Sequence, residues 1–379
     1  MTNNTDTLLP TPMPELAAPP IKTAQQPPAV AAAAPGTPDL TQAFTVLPAD
    51  QHRAWDEFVL AHPNGSAFQA TWWYRAWAME PTVKVLRDSQ GQITAGICYA
   101  TGRRFGTRAM VRPPCTAGNG PVFTAPPNEG HYRTITHAKE MALLAIHSLP
   151  QLGFYDIRLR PADTDVMPYL WNGFETQVGY TYVIPLSQKD QWVEAAAKST
   201  RKEIRRALRD VPEQGYRIEE NPAASAMLPL IQDTINAKGF RVGKLEQRFA
   251  AWWQAVLDHQ TGCGFLLRDK EGNAMAADIL IWDQHTAYSI LGGIRADLRK
   301  GSRVGTILLE RMISEAHRRG LDFDFEGSAL PGVERFMRSF GGELRPMYRV
   351  YKLKSPVTFA LWQTHRYLTQ HRKPWRWID

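Results

Sequence analysis

From Phe44 onward, apolar residues recur at two spacings, and the two alternate along the chain. Alternation of apolar and polar positions predicts strands over 44–49, 83–88, 93–101, 154–161 and 181–186, because successive side chains of a strand face opposite ways. Ser89-Gln90-Gly91-Gln92 is a turn between two of these. Three- and four-residue spacing predicts helices over 50–63 and 132–149. The second of these lines up Ala138, Met141, Ala142, Ala145, Ile146 and Leu149 on one side. The pattern then repeats. Helices are expected over 191–211, 224–239 and 245–260, and strands over 264–269, 274–283 and 287–294. A helix over 304–320, a strand over 321–328 and a strand pair around 340–353 complete it.

The two halves therefore run through helices, antiparallel strands, helix and strand in similar order. That predicts an α/β (α+β) chain of two related domains, residues 41–186 and 187–354, each a mixed, mostly antiparallel sheet flanked by helices. Residues 1–40 differ. Pro10, Pro12, Pro14, Pro19, Pro20, Pro27, Pro28, Pro35 and Pro38 recur among Ala, Thr and Gln, a composition that cannot build a core and predicts a disordered Pro/Ala-rich tail. Residues 355–379 mix Trp362, Trp375 and Trp377 with Arg366, Arg372, Lys373 and Arg376, which predicts a helical aromatic-basic tail that packs on its own domain or lies at a membrane surface.

Composition narrows the class. The chain has 379 residues, 44% hydrophobic and 21% charged, with a formal charge of +7. This is a globular composition whose positive excess favours anionic partners. Cys98, Cys115 and Cys263 show neither metal-ligand spacing nor a disulfide framework. No metal is expected. No apolar run approaches the ~20 residues that span a bilayer, and the first residues lack a charged head followed by an apolar stretch. The expected location is cytoplasmic, with peripheral contact at the inner membrane face left open.

The chemistry concentrates between Tyr288 and Arg335. A strand ending at Leu291, Gly292 and Gly293 leads through Gly301, Ser302 and Arg303 into a helix that starts near Gly305 and Thr306. Free N–H groups at a helix N-terminus, approached through small residues, suit a phosphate or pyrophosphate. In 321–328, alternation places Asp322, Asp324, Glu326 and Ser328 on one face, opposite Leu321, Phe323 and Phe325. Asp324 or Glu326 can take a proton from an attacking amine, Tyr288 can protonate a leaving group, and Glu334 and Arg335 follow within expected reach. Lys198, Arg201, Lys202, Arg205, Arg206 and Arg209 form one basic helix face, suited to an anionic substrate.

These segments together, with AFQATWWYRAW and VRPPCTAGNGPVF earlier and KSTRKEIRRALRD, AYSILGGI, GSRVGTILLERMISEAHRRG and FDFEGS…GVERFMRSFGG later, resemble the Fem-related, BioF2-like branch of the GNAT superfamily over residues 45–352. That branch includes peptidoglycan-bridge aminoacyltransferases. The resemblance implies two tandem GNAT-like domains and N-acyl transfer from an activated donor, acyl-CoA such as acetyl-CoA, to an amine on a small molecule or cell-envelope precursor. An aminoacyl-tRNA donor, as in Fem enzymes, is the first alternative, and no DNA partner is implied. Neither Gly301 nor Gly305 completes the superfamily's loop spacing, since Leu298 and Ser302 stand where Arg or Gln belongs. A second alternative is therefore a binding protein that keeps the fold without the reaction.

Overall fold

The computed structural model describes residues 44–104, 106–125, 130–239, 244–299, 302–354, 359–362 and 364. The expectations for residues 1–40 and for most of 355–379 lie outside them. The first half comprises β1 (Thr45–Val46), α1 (His52–Ala61), α2 (Thr71–Ala76), β2 (Pro81–Arg87), β3 (Ile93–Arg104), β4 (Thr107–Val111), β5 (Val122–Phe123), α3 (His131–Ser148), β6 (Phe154–Arg158), α4 (Met167–Trp171) and β7 (Glu175–Ile184). The second comprises α5 (Trp192–Ala195), α6 (Lys198–Glu213), β8 (Arg217–Glu220), α7 (Ala224–Ala237), α8 (Leu245–Asp258), β9 (Gly262–Arg268), β10 (Ala274–Trp282), β11 (Thr286–Ile294), α9 (Val304–Arg318), β12 (Asp322–Asp324), α10 (Pro331–Arg338) and β13 (Glu343–Leu353).

All the strands join one sheet in the order β1-β2-β3-β4-β6-β13-β7-β12-β11-β10-β9-β8, with β5 beside β3. The β4–β6 and β11–β12 pairs are parallel and the others antiparallel. The last strand, β13, lies between β6 and β7 of the first half. Next to it, β7 pairs with β12, so the hydrogen-bonded ladder passes without interruption from one half of the chain to the other.

One face of the sheet is covered by α1, α2, α7 and α8, with aromatic side chains from α1, α2 and α8 and aliphatic ones from α7. Trp55, Trp73 and Trp252 are fully buried there with Leu230, Ile231 and Tyr288. Trp73 and Trp252 meet edge-to-face at 5.5 Å, tying α2 to α8. Burial of each such side chain contributes roughly 1.5–3 kcal/mol. Opposite, α6 and α9 bury Ile204, Ile307, Met312 and Phe323, and α3 buries Met141, Leu144 and Ala145.

Several predicted elements differ from those observed: the strand pair expected around 340–353 is the single strand β13, the strand over 44–49 is reduced to Thr45–Val46, and two others change more. The helix expected over 191–211 is broken. Ala196 is extended (φ −66°, ψ 154°) and buried at 4% exposure, and the N–H of Ala197 bonds the carbonyl of Ser339 at 2.9 Å. A tertiary bond and a core position override local helix propensity at this step. The strand expected over 321–328 ends at Asp324. Alternation continues to Phe325, whose N–H donates to Tyr182 O, but Glu326 (φ +60°) and Gly327 (φ +66°) then turn the chain. A Cβ on Gly327 would stand 2.2 Å from Tyr180 O, so only glycine fits this turn. Among the described residues no helix is long and apolar enough to cross a membrane.

Candidate active site

The strands β11 and β12 run parallel for three register pairs, the last being Tyr288 with Asp324. There β12 ends, while β11 continues to Ile294. The sheet forks, and among the described residues no strand pairs with this edge of β11 beyond Tyr288. On its other edge β11 carries one extra residue, Ile290, because Ile279 pairs with Leu291 but Leu280 with Ser289. Bulges of this kind often lie beside active sites, where they re-aim the backbone.

A pair of carboxylates stands at the fork. Asp324 is wholly buried. The hydroxyl of Thr181 on β7 donates to its Oδ1, as does the N–H of Glu326 at 2.7 Å, while Oδ2 is buried and has no hydrogen-bond partner among the described residues. Glu326 Oε2 pairs with Arg158 Nη2 at 2.9 Å, and its Oε1 is likewise buried with no partner among the described residues. Burial, and then the charge of Glu326, raises the pKa of Asp324. Burial also raises that of Glu326, against the pull of Arg158 and Arg112. Two neighbouring carboxyls in a poorly solvated site do not ionise together. Asp324 keeps its proton to higher pH and Glu326, beside a guanidinium, is the ionised member.

Sequence reasoning missed the residues around this pair. Arg158 lies on β6 in the strand FYDIRLRP, beside Asp156. Arg349 of β13 grips both oxygens of Asp156, at 2.8 and 2.9 Å. Burial opposes ionisation of Asp156, but Arg349 and Arg112 hold its pKa down to about 2. Arg112 itself is lowered to about 10 by burial, and its Nη1 is buried with no acceptor among the described residues. Cys115, from the loop after β4, has φ +58°; burial, with the nearby charge of Glu326, pushes its thiol up to about 12. The available signal was the Asp156–Arg158–Arg160 alternation inside an otherwise apolar strand, where charges are costly unless paired. The partners, Arg349 and Glu326, are far away in the sequence.

The structure places Tyr288 on the Asp324 face, as their register pairing requires. Its hydroxyl donates to Asp283 Oδ2 at 2.8 Å, and burial raises its pKa well above the ordinary phenol value. The hydroxyl is committed to Asp283, and its place beside Asp324 is what remains of the predicted role.

The expected donor loop is more closed than the sequence suggests. Gly293 is covered, since a Cβ there would lie 2.3 Å from the backbone of Leu230 on α7. The space over Gly292 holds the Asp278 carboxylate, pushed up to about 7 by burial. Leu291 belongs to the core. Ile294 N donates to Thr234 Oγ1 at 2.9 Å. The Leu291 side chain is thus turned into the core, the faces of Gly292 and Gly293 are occupied by Asp278 and Leu230, and what these three residues offer a donor is the edge of their backbone. Beyond them, Arg299 pairs with Asp233, Arg303 with Asp210 at 2.6 Å, and Ser302 donates to Leu298 O. The arginine charges are already met within the protein. Gly301 lies outside the described residues. α9 has no side-chain cap, so the N–H groups of Val304, Gly305 and Thr306 face outward from a positive helix end. Beside them a cavity of about 310 Å³ is lined by Asp210, Gln214, Tyr216, Ser302, Arg303 and Ile307.

The predicted substrate residues are not gathered at the carboxylate pair. Glu334 accepts the Tyr182 hydroxyl at 2.6 Å. Tyr182 points away from the face of Thr181 and Val183, which carries Asp324. Glu334 and its neighbour Arg335 on α10 are therefore on the opposite side of the sheet. Ser328 Oγ accepts from Leu330 N at 3.2 Å, shaping the turn into α10. Lys202, Arg205 and Arg206 line a separate open concavity of about 770 Å³ on α6, with Lys198, Arg201 and Arg209. Glu194 neutralises Arg201 and Arg205 at 3.0 Å each, and Glu203 lies 3.6 Å from Arg206. Among the described residues Lys198, Lys202 and Arg209 have no carboxylate within ion-pair distance.

The sequence of residues 198–338, from the start of α6 to the end of α10, matches the family model described as "Acetyltransferase (GNAT) domain". This segment is a GNAT acetyltransferase domain. The match supports acyl transfer as the reaction class of this segment. The GNAT segment contains the fork, the Asp324–Glu326 pair and the α9 N-terminus, but not Arg158, Arg112 or Thr181, which come from the first half. No curated protein matches the chain. Among solved structures the chain is similar to FemX, at 14% identity with a TM-score of 0.58, covering 83% of this chain and 98% of that one. It is also similar to a conserved protein of unknown function from Bacteroides thetaiotaomicron, at 12% identity with a TM-score of 0.50, covering 83% and 100%. At such identities the likeness shows a shared fold, and with 83% of the chain covered it extends beyond the GNAT segment.

Proposed function

We propose that the chain transfers an acyl group from an acyl-CoA donor to an amine at the β11–β12 fork. The observation that carries this reading is a buried carboxylate pair, each member with one unpartnered oxygen, where the two parallel strands part. In this reading the donor's carbonyl lies along the free edge of β11 and its phosphates meet the N–H groups at the start of α9. The amine nitrogen attacks the thioester carbonyl, the new C–N bond replaces C–S, Glu326 accepts the amine proton and Asp324 gives its proton to the departing thiolate. A base near the fork contributes a factor of ~10²–10⁴, and alignment of the two reactants contributes more. The test is thermal-shift titration of the protein with acetyl-CoA and longer acyl-CoAs. A donor at ~100 times its Kd stabilises by ~2.7 kcal/mol, and a protein that ignores every acyl-CoA defeats the proposal.

The basic concavity on α6 favours a second reading, an aminoacyl-tRNA donor. It predicts RNA association that weakens steeply as salt rises.

A further inference from the structure

We infer that the amine acceptor also carries an oxyanion, a carboxylate or a phosphate, and that Arg112 with Arg158 and Arg104 seats it beside Glu326. The inference rests on the acyl-transfer reading above. Four guanidinium groups, those of Arg104, Arg112, Arg158 and Arg349, gather around two carboxylates. Asp156 takes Arg349 in both oxygens and has Arg104 at 3.7 Å. Glu326 takes Arg158. Arg112 lies within electrostatic reach of Asp156 and Glu326, yet its Nη1 is buried and donates to neither. A protein interior seldom leaves a guanidinium donor unmet, because its lost hydration is not replaced. The excess of positive charge is not sealed in. The side chains of Arg104, Arg158 and Arg349 are 33%, 21% and 21% exposed, while Asp156 is 3% exposed. The row thus forms an open positive flank that ends at the unpartnered Glu326 Oε1.

Planar guanidinium groups match carboxylate and phosphate oxygens in pairs, which sets the ligand chemistry. The donor's own phosphates are poorly placed to fill this seat, because α9 packs on the face of Phe323 and Arg158 shares the face of Asp324. An acceptor held by its oxyanion at Arg112 would present its amine to Glu326, the orientation the reaction needs.

The experiment measures calorimetric binding of small amines to the full chain, in pairs that differ only in the oxyanion. β-Alanine is compared with its amide, and phosphoethanolamine with ethanolamine, with acetate and inorganic phosphate as plain oxyanions. The expected result is binding of at least one oxyanionic amine and of neither neutral partner. Which pair responds distinguishes a carboxylate from a phosphate. In Arg112→Met the affinity should fall about tenfold or more, as for loss of a charge-assisted bond. Glu326→Gln frees Arg158 and should tighten the same ligand. If Arg112→Met fails to fold, Arg112→Lys and Glu326→Gln carry the test. Equal binding of neutral and charged partners, no response to any oxyanion, or indifference to both substitutions overturns the inference. Binding is read without turnover, so failure of the seat and failure of acyl transfer are separable. A protein that acylates neutral amines and ignores Arg112 keeps the reaction and loses the seat. One that binds oxyanions but no acyl-CoA does the reverse.

Discussion

Arg158 on β6 and Glu326 beyond β12 meet at 2.9 Å, although one comes from the first half of the chain and the other from the GNAT segment. The ion pair crosses the sheet beneath β13 and β7 and holds an ionised carboxylate at the fork. Removing its cation should have two effects. Arg158→Met leaves Glu326 charged and partly desolvated, so stability should fall by about 3 kcal/mol, the lower end of the range for a broken buried pair. It should also raise the pKa of Glu326, moving the acid limb of the pH–rate profile to higher pH. Chemical denaturation and a pH–rate series check the two effects separately.

Glu326→Gln keeps the shape of the side chain and removes the base. Acyl transfer should drop ~10²–10⁴-fold with donor binding intact, a split read from kcat against the donor's Kd. Unaltered turnover would remove Glu326 from the mechanism.

Asp324→Asn should change the opposite limb. In the proposed mechanism Asp324 works protonated, and burial keeps it so above the ordinary carboxylate range. Activity of the unsubstituted protein should therefore decline as pH rises through the Asp324 pKa. The decline should vanish in Asp324→Asn, along with most of the rate.

Asp278 provides a stability test independent of catalysis. Its folded pKa of about 7 exceeds the usual value, so the folded state holds this proton more tightly than the unfolded state does. The contribution to stability is complete below about pH 4 and is lost as pH rises toward 7. Asp278→Asn should flatten that decline and make the protein relatively more stable at pH 8, by roughly 2–4 kcal/mol for a fully buried group. Melting temperatures between pH 4 and 8 decide it.

Gly293→Ala should unseat α7. Its Cβ would meet the backbone of Leu230 at 2.3 Å, where no side-chain rotation relieves the clash. Overpacking of this kind costs typically 1–3 kcal/mol, and a lowered melting temperature with weakened acyl-CoA response is the expected outcome. A variant as stable as the parent would show that α7 can withdraw.

Much of the fold was legible because its cause is local. The strands over 274–283 and 287–294 and the helix over 132–149 follow from apolar periodicity, and observation differs by only a residue or two at their ends. The Asp324–Glu326 candidates were legible too, since three acids alternating with Leu321, Phe323 and Phe325 demanded an explanation. The failures were long-range. The sequence contains no sign that Ala197 bonds Ser339, and so no sign that the helix over 191–211 breaks. The spacing of Glu334 from Glu326 suggested proximity, but the turn at Gly327 sends α10 to the other face. Arg303, in the expected donor loop, looked available until the structure paired it with Asp210.

By itself, then, the sequence determined most of the strands and helices and where the acids and the glycine-rich turn lie, which depend on neighbours within a few turns of chain. Its motifs, taken together, resembled the GNAT superfamily. Only the tertiary structure decided that β13 returns between β6 and β7, that Arg158 and Arg112 face Glu326, and that Asp324 is desolvated enough to keep its proton. Those outcomes depend on strand register and burial, which bring together charges whose interaction in a low-dielectric interior is strong and whose separation along the chain leaves no periodic trace.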